Sequence, residues 1–430
     1  MLEIIMVLYT LYTLMRIYIS VMQIGYIDTE KNGQAVLMTQ EKFVIAGEYA
    51  MKKERLSLLS TLVDYGVFVW WILGGFAWLS SMIDMTDSVL NVVLFLFGFM
   101  AVGMIVGIPF DIYKTFWLDK EYGFTKTTPK LYALDQFKEI AMTVIIGGVV
   151  LYALAWIVIN IANWWVWGFA LLFSFALLAN IIYPTIIAPI FNKFTPLEEG
   201  ELRTDIESMM QGVGLKSDGV FVLDASKRDS RLNAYFGGLG KTKRVVLFDT
   251  LIEKLTNKEL LAVLGHELGH FSHGDIWKNI GMMGLLLFLS FFILGNLPDS
   301  LFYAMNIEPN AGIEIAMMIM LLPLIAFVFT PVMSAVSRHN EYAADEFGSA
   351  LGGKENLVSA LMKLVTENKA FPKSHPIYSF FYYTHPPVLE RLKELGYDAN
   401  AINEVNNPKS QEESFEKDGI FSFINEKKEK

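Results

Sequence analysis

The chain has 430 residues, of which 53% are hydrophobic and only 19% charged, with a net charge of −10 and no cysteine. Soluble domains carry about 25% charged residues, so a soluble enzyme, a disordered chain and a basic nucleic-acid binder are all disfavoured, and the partner that fits the apolar surplus is a lipid bilayer. The missing thiols exclude disulfide scaffolds, thiolate metal sites and cysteine nucleophiles, which leaves His, Asp and Glu to hold any metal.

Crossing a hydrocarbon core takes about 20 helical residues. Stretches free of Asp, Glu, Lys and Arg run over 65–83, 88–110, 140–192, 279–298 and 315–337. The third is too long for one helix and divides at 160–165, where Asn-Ile-Ala-Asn-Trp-Trp offers a turn and interfacial aromatics. Pro184 and Pro189 predict that its second helix ends or kinks near Tyr183. A further span, 4–26, is interrupted only by Arg16. It lacks a basic start and a small-residue cleavage site, so it reads as a retained anchor. The expectation is seven transmembrane helices.

Apart from Arg16, every Lys and Arg lies in 31–55, 114–138, 193–278 or 338–430, and the alternate connections near 84–87, 160–165 and 297–313 have none. This positive-inside pattern puts the N-terminus outside and the long polar segments in the cytoplasm. Arg16, Asp64 and Asp111, within or at the ends of spans, then need water or a partner.

The expected division is 1–192 for transmembrane helices 1 to 5, 193–278 for the first part of a cytoplasmic domain, 279–337 for helices 6 and 7, and 338–430 for the rest. The first polar part reads as a helix over 197–213 ended by Gly214, β-prone runs at 219–223, 233–236 and 244–248, and a helix begun by the capping-box pair Thr256 and Glu259. The second reads as helices over 338–350 and 354–368, with a polar, loosely ordered tail beyond Ala399. The fold class is mostly α, with a small β-sheet in the cytoplasmic part.

His266-Glu267-Leu268-Gly269-His270 falls inside the helix that starts at Thr256. Four residues advance a helix by about 400°, so the two histidines share a face and can ligate one Zn²⁺. Glu267, rotated by about 100°, stands beside that pair, where it can take a proton from a water that the metal activates. A tetrahedral catalytic site needs one more protein ligand, and Glu341 on the same side of the bilayer supplies it. Asp345, one turn on, is placed to accept a hydrogen bond from a ligating imidazole. Ala343 and Ala344 keep that helix slim. His273 and His339 read as structural or surface residues, and His375 as a loop residue before Pro376.

The chain resembles the CAAX prenyl protease 1 family. The resemblance rests on Glu121-Tyr122-Gly123-Phe124, Tyr183-Pro184-Thr185 with Ala188-Pro189, and 191–197 (FNKFTPL). It continues through Asn233-Ala234-Tyr235-Phe236, 246–251 (VLFDTL), Val263-Leu264-Gly265 before the histidine motif, 340–345 (NEYAAD), and His385-Pro386-Pro387 with Glu390-Arg391-Leu392. It implies seven transmembrane helices enclosing a chamber and a gluzincin-type zinc metallopeptidase with one Zn²⁺ per chain, held by His266, His270 and Glu341. It further implies cleavage near the C-terminus of a peptide or protein substrate, after a prenylated cysteine. By position, Asn233, Ala234 and Tyr235 become a substrate-binding edge strand, which can pair with an extended peptide. His385 becomes a catalytic group near the oxyanion, and Arg391 a further substrate-site residue.

The stretch 250–261 lacks the long charged insertion of the animal members, which with the absence of Cys favours a bacterial cytoplasmic membrane over the endoplasmic reticulum. Two other functions fit the same residues: a membrane-protein quality-control protease with no prenyl requirement, and a scaffold with a structural zinc site. An intact Glu267 argues against the scaffold.

Overall fold

The computed structural model describes residues 1–83, 88–215, 219–238 and 243–397. The tail expected beyond Ala399 lies outside the described residues. Seven helices are long and apolar enough to cross a membrane: α1 (Leu2–Glu30), α2 (Gln40–Met82), α3 (Val89–Glu121), α4 (Pro129–Asn160), α5 (Trp164–Phe191), α8 (Asp275–Leu294) and α9 (Ala311–Gly352). Between α5 and α8 come β1 (Phe194–Pro196), α6 (Glu201–Gly212), β2 (Val220–Leu223), β3 (Ala234–Gly237), β4 (Arg244–Phe248) and α7 (Asn257–Ser272), and after α9 come α10 (Lys354–Glu367), α11 (Pro376–Tyr382) and α12 (Val388–Glu394).

The helix expected to end or kink near Tyr183 does not end there: it continues to Phe191 through a π-helical turn at Tyr183–Ile187. Widening the turn accommodates Pro184, which has no N–H to give. The charge-free stretch 315–337 and the helix expected at 338–350 are one 42-residue helix, α9, a rod about 63 Å long. It carries both a membrane span and the turn bearing Glu341. Asn310 starts it by accepting the Ile313 N–H, and Gly353, with φ +88°, ends it.

The four strands lie in the order β1-β2-β4-β3, with β2 and β4 parallel and both outer pairs antiparallel. Val245, Val246 and Leu247 of β4 are fully buried, as a central strand requires, whereas β3 is an edge. Strand β1 carries no alternating pattern in sequence and is recruited by pairing with β2. One face of the sheet packs through Val245 and Leu247 on Ile206 and Met210 of α6 and on Leu260, Leu264 and Leu268 of α7.

The capping box at Thr256 forms, and Glu259 also accepts from Ser359 and Lys363 of α10 at 2.6 and 2.7 Å. A second cluster, including Ile27, Phe43, Ala262, Leu361, Phe371 and Leu392, joins the C-terminal end of α1 and the N-terminal end of α2 to α7, α10 and α12. The two polar parts therefore fold together and rest on the first two membrane helices.

Candidate active site

α7 and the last third of α9 lie almost backbone to backbone. A Cβ added at Gly269 would sit 2.8 Å from Ala344 Cα, one at Gly348 would sit 2.6 Å from the His266 nitrogen, and one at Gly352 would sit 2.3 Å from Ala262 Cα. Small residues at successive turns on both helices permit this approach, and it brings Glu341 between the two imidazoles. His266 Nε2 lies 3.4 Å from Glu341 Oε2, and His270 Nε2 lies 3.2 Å from Glu341 Oε1.

The remaining ring nitrogens are engaged from behind. His266 Nδ1 meets Asp345 Oδ1 at 2.8 Å, and His270 Nδ1 meets Asp275 Oδ2 at 2.8 Å. An Nδ1–H donated to a carboxylate leaves the Nε2 lone pair for a metal. Lys278 holds Asp275 at 2.7 Å and reaches Asn340 at 3.1 Å. Asp275 follows the motif at the start of α8, after Gly274 turns the chain with φ +66°. Its only sequence signal is a carboxylate one tight turn beyond the second histidine.

Ligand atoms of His266, His270 and Glu341 all lie within 4.8 Å of one another. Glu341 is 3% exposed, and its buried Oε2 accepts no hydrogen bond, having only the longer ion-pair contacts of His266 Nε2 at 3.4 Å and Arg391 Nη1 at 3.5 Å. A buried carboxylate oxygen without a donor is costly unless a cation meets it. Two imidazoles and a carboxylate also form a donor set suited to Zn²⁺. The residues fit a metal.

Glu267 is half-buried beside the pair. Burial pushes its carboxyl pKa up, against the pull of His266 and His270, and Glu341 adds to the rise. His385 Nε2 lies 3.2 Å from Glu341 Oε1 on the open side of the site. Its approach is set by α11, whose carbonyls at Ser379 and Phe381 accept from Arg338 and Ser334 of α9.

The expectation that Arg391 meets substrate does not match its placement. It is 6% exposed, behind His266, and pairs bidentately with Asp345 at 2.6 and 2.7 Å. The polar partner it needs once buried is already inside the protein. Asn233 is exposed at the start of the edge strand, but the Ala234 side chain packs into the core opposite Leu247, which leaves only its backbone for a peptide. Tyr235 is half-buried. His273 stacks edge-on to Phe347 at 5.8 Å and His339 is exposed. His375 has a partner that the sequence does not reveal: it caps α11, its Nδ1 accepting the Ile377 N–H at 3.2 Å.

Residues 32–193 match the CAAX prenyl protease N-terminal region of five membrane helices, and residues 196–399 match Peptidase family M48. The CAAX prenyl protease 1 homolog of Oryza sativa subsp. japonica is 33% identical over 378 residues, covering 84% of this chain and 88% of that protein. The chain belongs to the CAAX prenyl protease 1 family. CAAX prenyl protease 1 of Saccharomyces cerevisiae is 36% identical, with 73% of this chain and 74% of that protein covered. The crystal structure of S. mikatae Ste24p matches with a TM-score of 0.83 at 31% identity, over 92% of this chain and 98% of that one. The family and the fold read from the motifs hold: this is an integral-membrane, multi-pass metalloendopeptidase, mostly helical with a small mixed sheet.

Proposed function

We propose that the chain is a zinc endopeptidase that cuts prenylated peptides or proteins near their C-termini, with one Zn²⁺ held by His266, His270 and Glu341. The observation that carries this reading is Glu341, lodged between two imidazoles whose other nitrogens are fixed by Asp345 and Asp275. Bound there, zinc supplies Lewis-acid polarisation of a carbonyl oxygen and makes water more acidic.

Glu267 takes a proton as water attacks the scissile carbonyl carbon, and it delivers that proton to the amine as the C–N bond breaks. A raised carboxyl pKa suits a group that must both accept and return a proton near neutrality. His385 donates from Nε2 to the carbonyl oxygen as charge develops there. Asn233 and the backbone of Ala234 and Tyr235 align the peptide along the free edge of β3. Arg391 acts through Asp345, not on substrate.

The names of the relatives support the prenylated substrate, and the distribution of Lys and Arg supports an outside N-terminus with the peptidase part (193–278 and 338–430) on the cytoplasmic side. The absence of Cys and the compact 250–261 stretch favour a bacterial cytoplasmic membrane.

The test is cleavage of one peptide, with and without a C-terminal isoprenyl cysteine, by detergent-purified protein, read by mass spectrometry. Glu267→Gln is expected to retain the metal and lose turnover by about a thousandfold or more. Near-normal turnover in that variant would sink the mechanism, and equal cleavage of both peptides would remove the prenyl requirement.

A further inference from the structure

The open edge of β3 is held from outside the sheet. Phe248 donates to the Asn233 carbonyl at 3.1 Å, and Tyr235 stands opposite Val246, so the backbone groups of Asn233 and Tyr235 point to β4. Residues along a strand alternate in the direction of their backbone groups, and those of Leu232, Ala234 and Phe236 therefore face the open edge. Leu232 is already taken. Its N–H donates to Asn368 Oδ1 at 2.8 Å, and its carbonyl accepts from Asn368 Nδ2 at 3.1 Å. One side-chain carboxamide thus makes both bonds that a neighbouring strand would make. The Ala234 N–H is met by Asn233 Oδ1 at 2.9 Å, so the edge presents the Ala234 carbonyl and the Phe236 backbone groups.

Asn368 is itself firmly placed. It caps α10 at the C-terminus, after which the chain turns: the Lys369 N–H donates to the Thr366 carbonyl at 3.2 Å and the Ala370 N–H to the Val365 carbonyl at 3.0 Å. Lys369 holds φ +46°, the left-handed position where glycine is usual, and its ammonium lies 4.5 Å from the centre of the Phe124 ring. About two turns back along α10, Ser359 and Lys363 both donate to Glu259 in the first turn of α7. One helix therefore ties the start of the histidine-bearing helix to the start of the edge strand.

We propose that Asn368 is a positioning residue for the peptide substrate. Its carboxamide anchors Leu232, sets the pose of Asn233 and Ala234 relative to α7, and closes the edge to pairing before Ala234. A bound peptide then gives two backbone N–H groups, two residues apart, to the carbonyls of Ala234 and Phe236. Asn368 acts through Leu232 and touches no substrate. The assignment rests on the reading of β3 as the peptide-binding edge.

The experiment uses full-length, metal-loaded protein and an S-farnesylated peptide with three apolar residues after the cysteine, N-methylated at one backbone nitrogen at a time, with kcat and KM measured for each. Methylation removes a donor. In the unsubstituted protein, two nitrogens away from the cut bond and two residues apart should each cost about tenfold in kcat/KM when methylated. In Asn368→Ala the KM of the unmethylated peptide should rise about tenfold, with kcat within about twofold and metal stoichiometry unchanged. The penalty at those two nitrogens should fall to about twofold, and the penalty at every other nitrogen should stay as it was. A role in stability alone would leave the pattern of penalties unmoved. An unchanged pattern, or an unchanged KM, overturns the assignment.

Should Asn368→Ala fail to fold, the scan of the unsubstituted protein decides the matter. A third sensitive nitrogen, two residues further along the peptide, would mean that the ladder runs on to Leu232 and overturns the proposal. No sensitive nitrogen away from the cut would remove the edge-strand reading together with the role of Asn368, whereas penalties that persist in Asn368→Ala spare that reading and remove only Asn368. Absence of cleavage of any peptide would count against the endopeptidase reading itself, and the proposal falls with it.

Discussion

Behind each candidate metal-ligating imidazole stands a carboxylate, and each carboxylate is itself held by a cation: Asp345 by Arg391, Asp275 by Lys278. Such outer partners fix ring orientation, and their loss typically costs 10–100-fold in metal affinity. Asp345→Asn and Asp275→Asn are each expected to weaken zinc binding by that amount in competition with a chelator, with the fold retained. Protons compete for the same nitrogens. Burial lowers the His270 pKa, but hydrogen bonds to Glu341 and Asp275 outweigh it and hold the pKa at about 9, above the ordinary 6.5. In the metal-free protein this protonation adds stability that is complete below about 6.5 and lost as pH rises through about 9. An incoming ion must displace that proton. Zinc affinity should thus climb about tenfold per pH unit for this proton and level off near 9. Binding isotherms from pH 6 to 9 check this, and an affinity independent of pH would contradict it.

At the scale of elements, the site depends on how closely α7 meets α9. Gly348 and Gly352 leave no room for a side chain, and replacing Gly348 by Val should part the helices, move Glu341 off the imidazoles and cost about 1–3 kcal/mol through overpacking. The measurable outcome is reduced metal stoichiometry with a lower Tm. Gly281→Ala in α8, where nothing lies within 4 Å of the added Cβ, should leave both intact. The histidine spacing, the charge gaps and the Thr256 capping box are legible in sequence because each depends on local periodicity or a fixed local offset. Glu341 is legible as a ligand, but its continuity with a membrane span is not, because a charge boundary at Arg338 looks like an element boundary and helix hydrogen bonding ignores it. Arg391 and Asp275 reveal their partners only in three dimensions. Arg391 enters as a site residue only through the resemblance of its motif, whereas packing turns it inward to Asp345. The π-helical turn at Tyr183–Ile187 is likewise invisible to a rule that lets proline only end or kink a helix.

At the scale of the whole molecule, the three candidate ligands come from helices separated by the membrane hairpin α8–α9, so the centre can assemble only if both polar parts emerge on one side of the bilayer. Helices α7 and α9 do meet, and Arg231, which packs against Asp119 at 3.0 Å and stacks on Phe124, ties the same polar part to the C-terminal end of α3. The cytoplasm is the side proposed for it, on the distribution of Lys and Arg. The chain has no cysteine of its own, so single introduced thiols report sidedness without background. Ala162, in the turn between α4 and α5, and Glu198, between β1 and α6, are both exposed. In intact cells a membrane-impermeant maleimide should label Ala162→Cys and spare Glu198→Cys, which should react only after permeabilisation. The reverse pattern would invert the topology, and labelling of both in intact cells would place the polar connections on opposite sides and break the shared site that Glu341 requires.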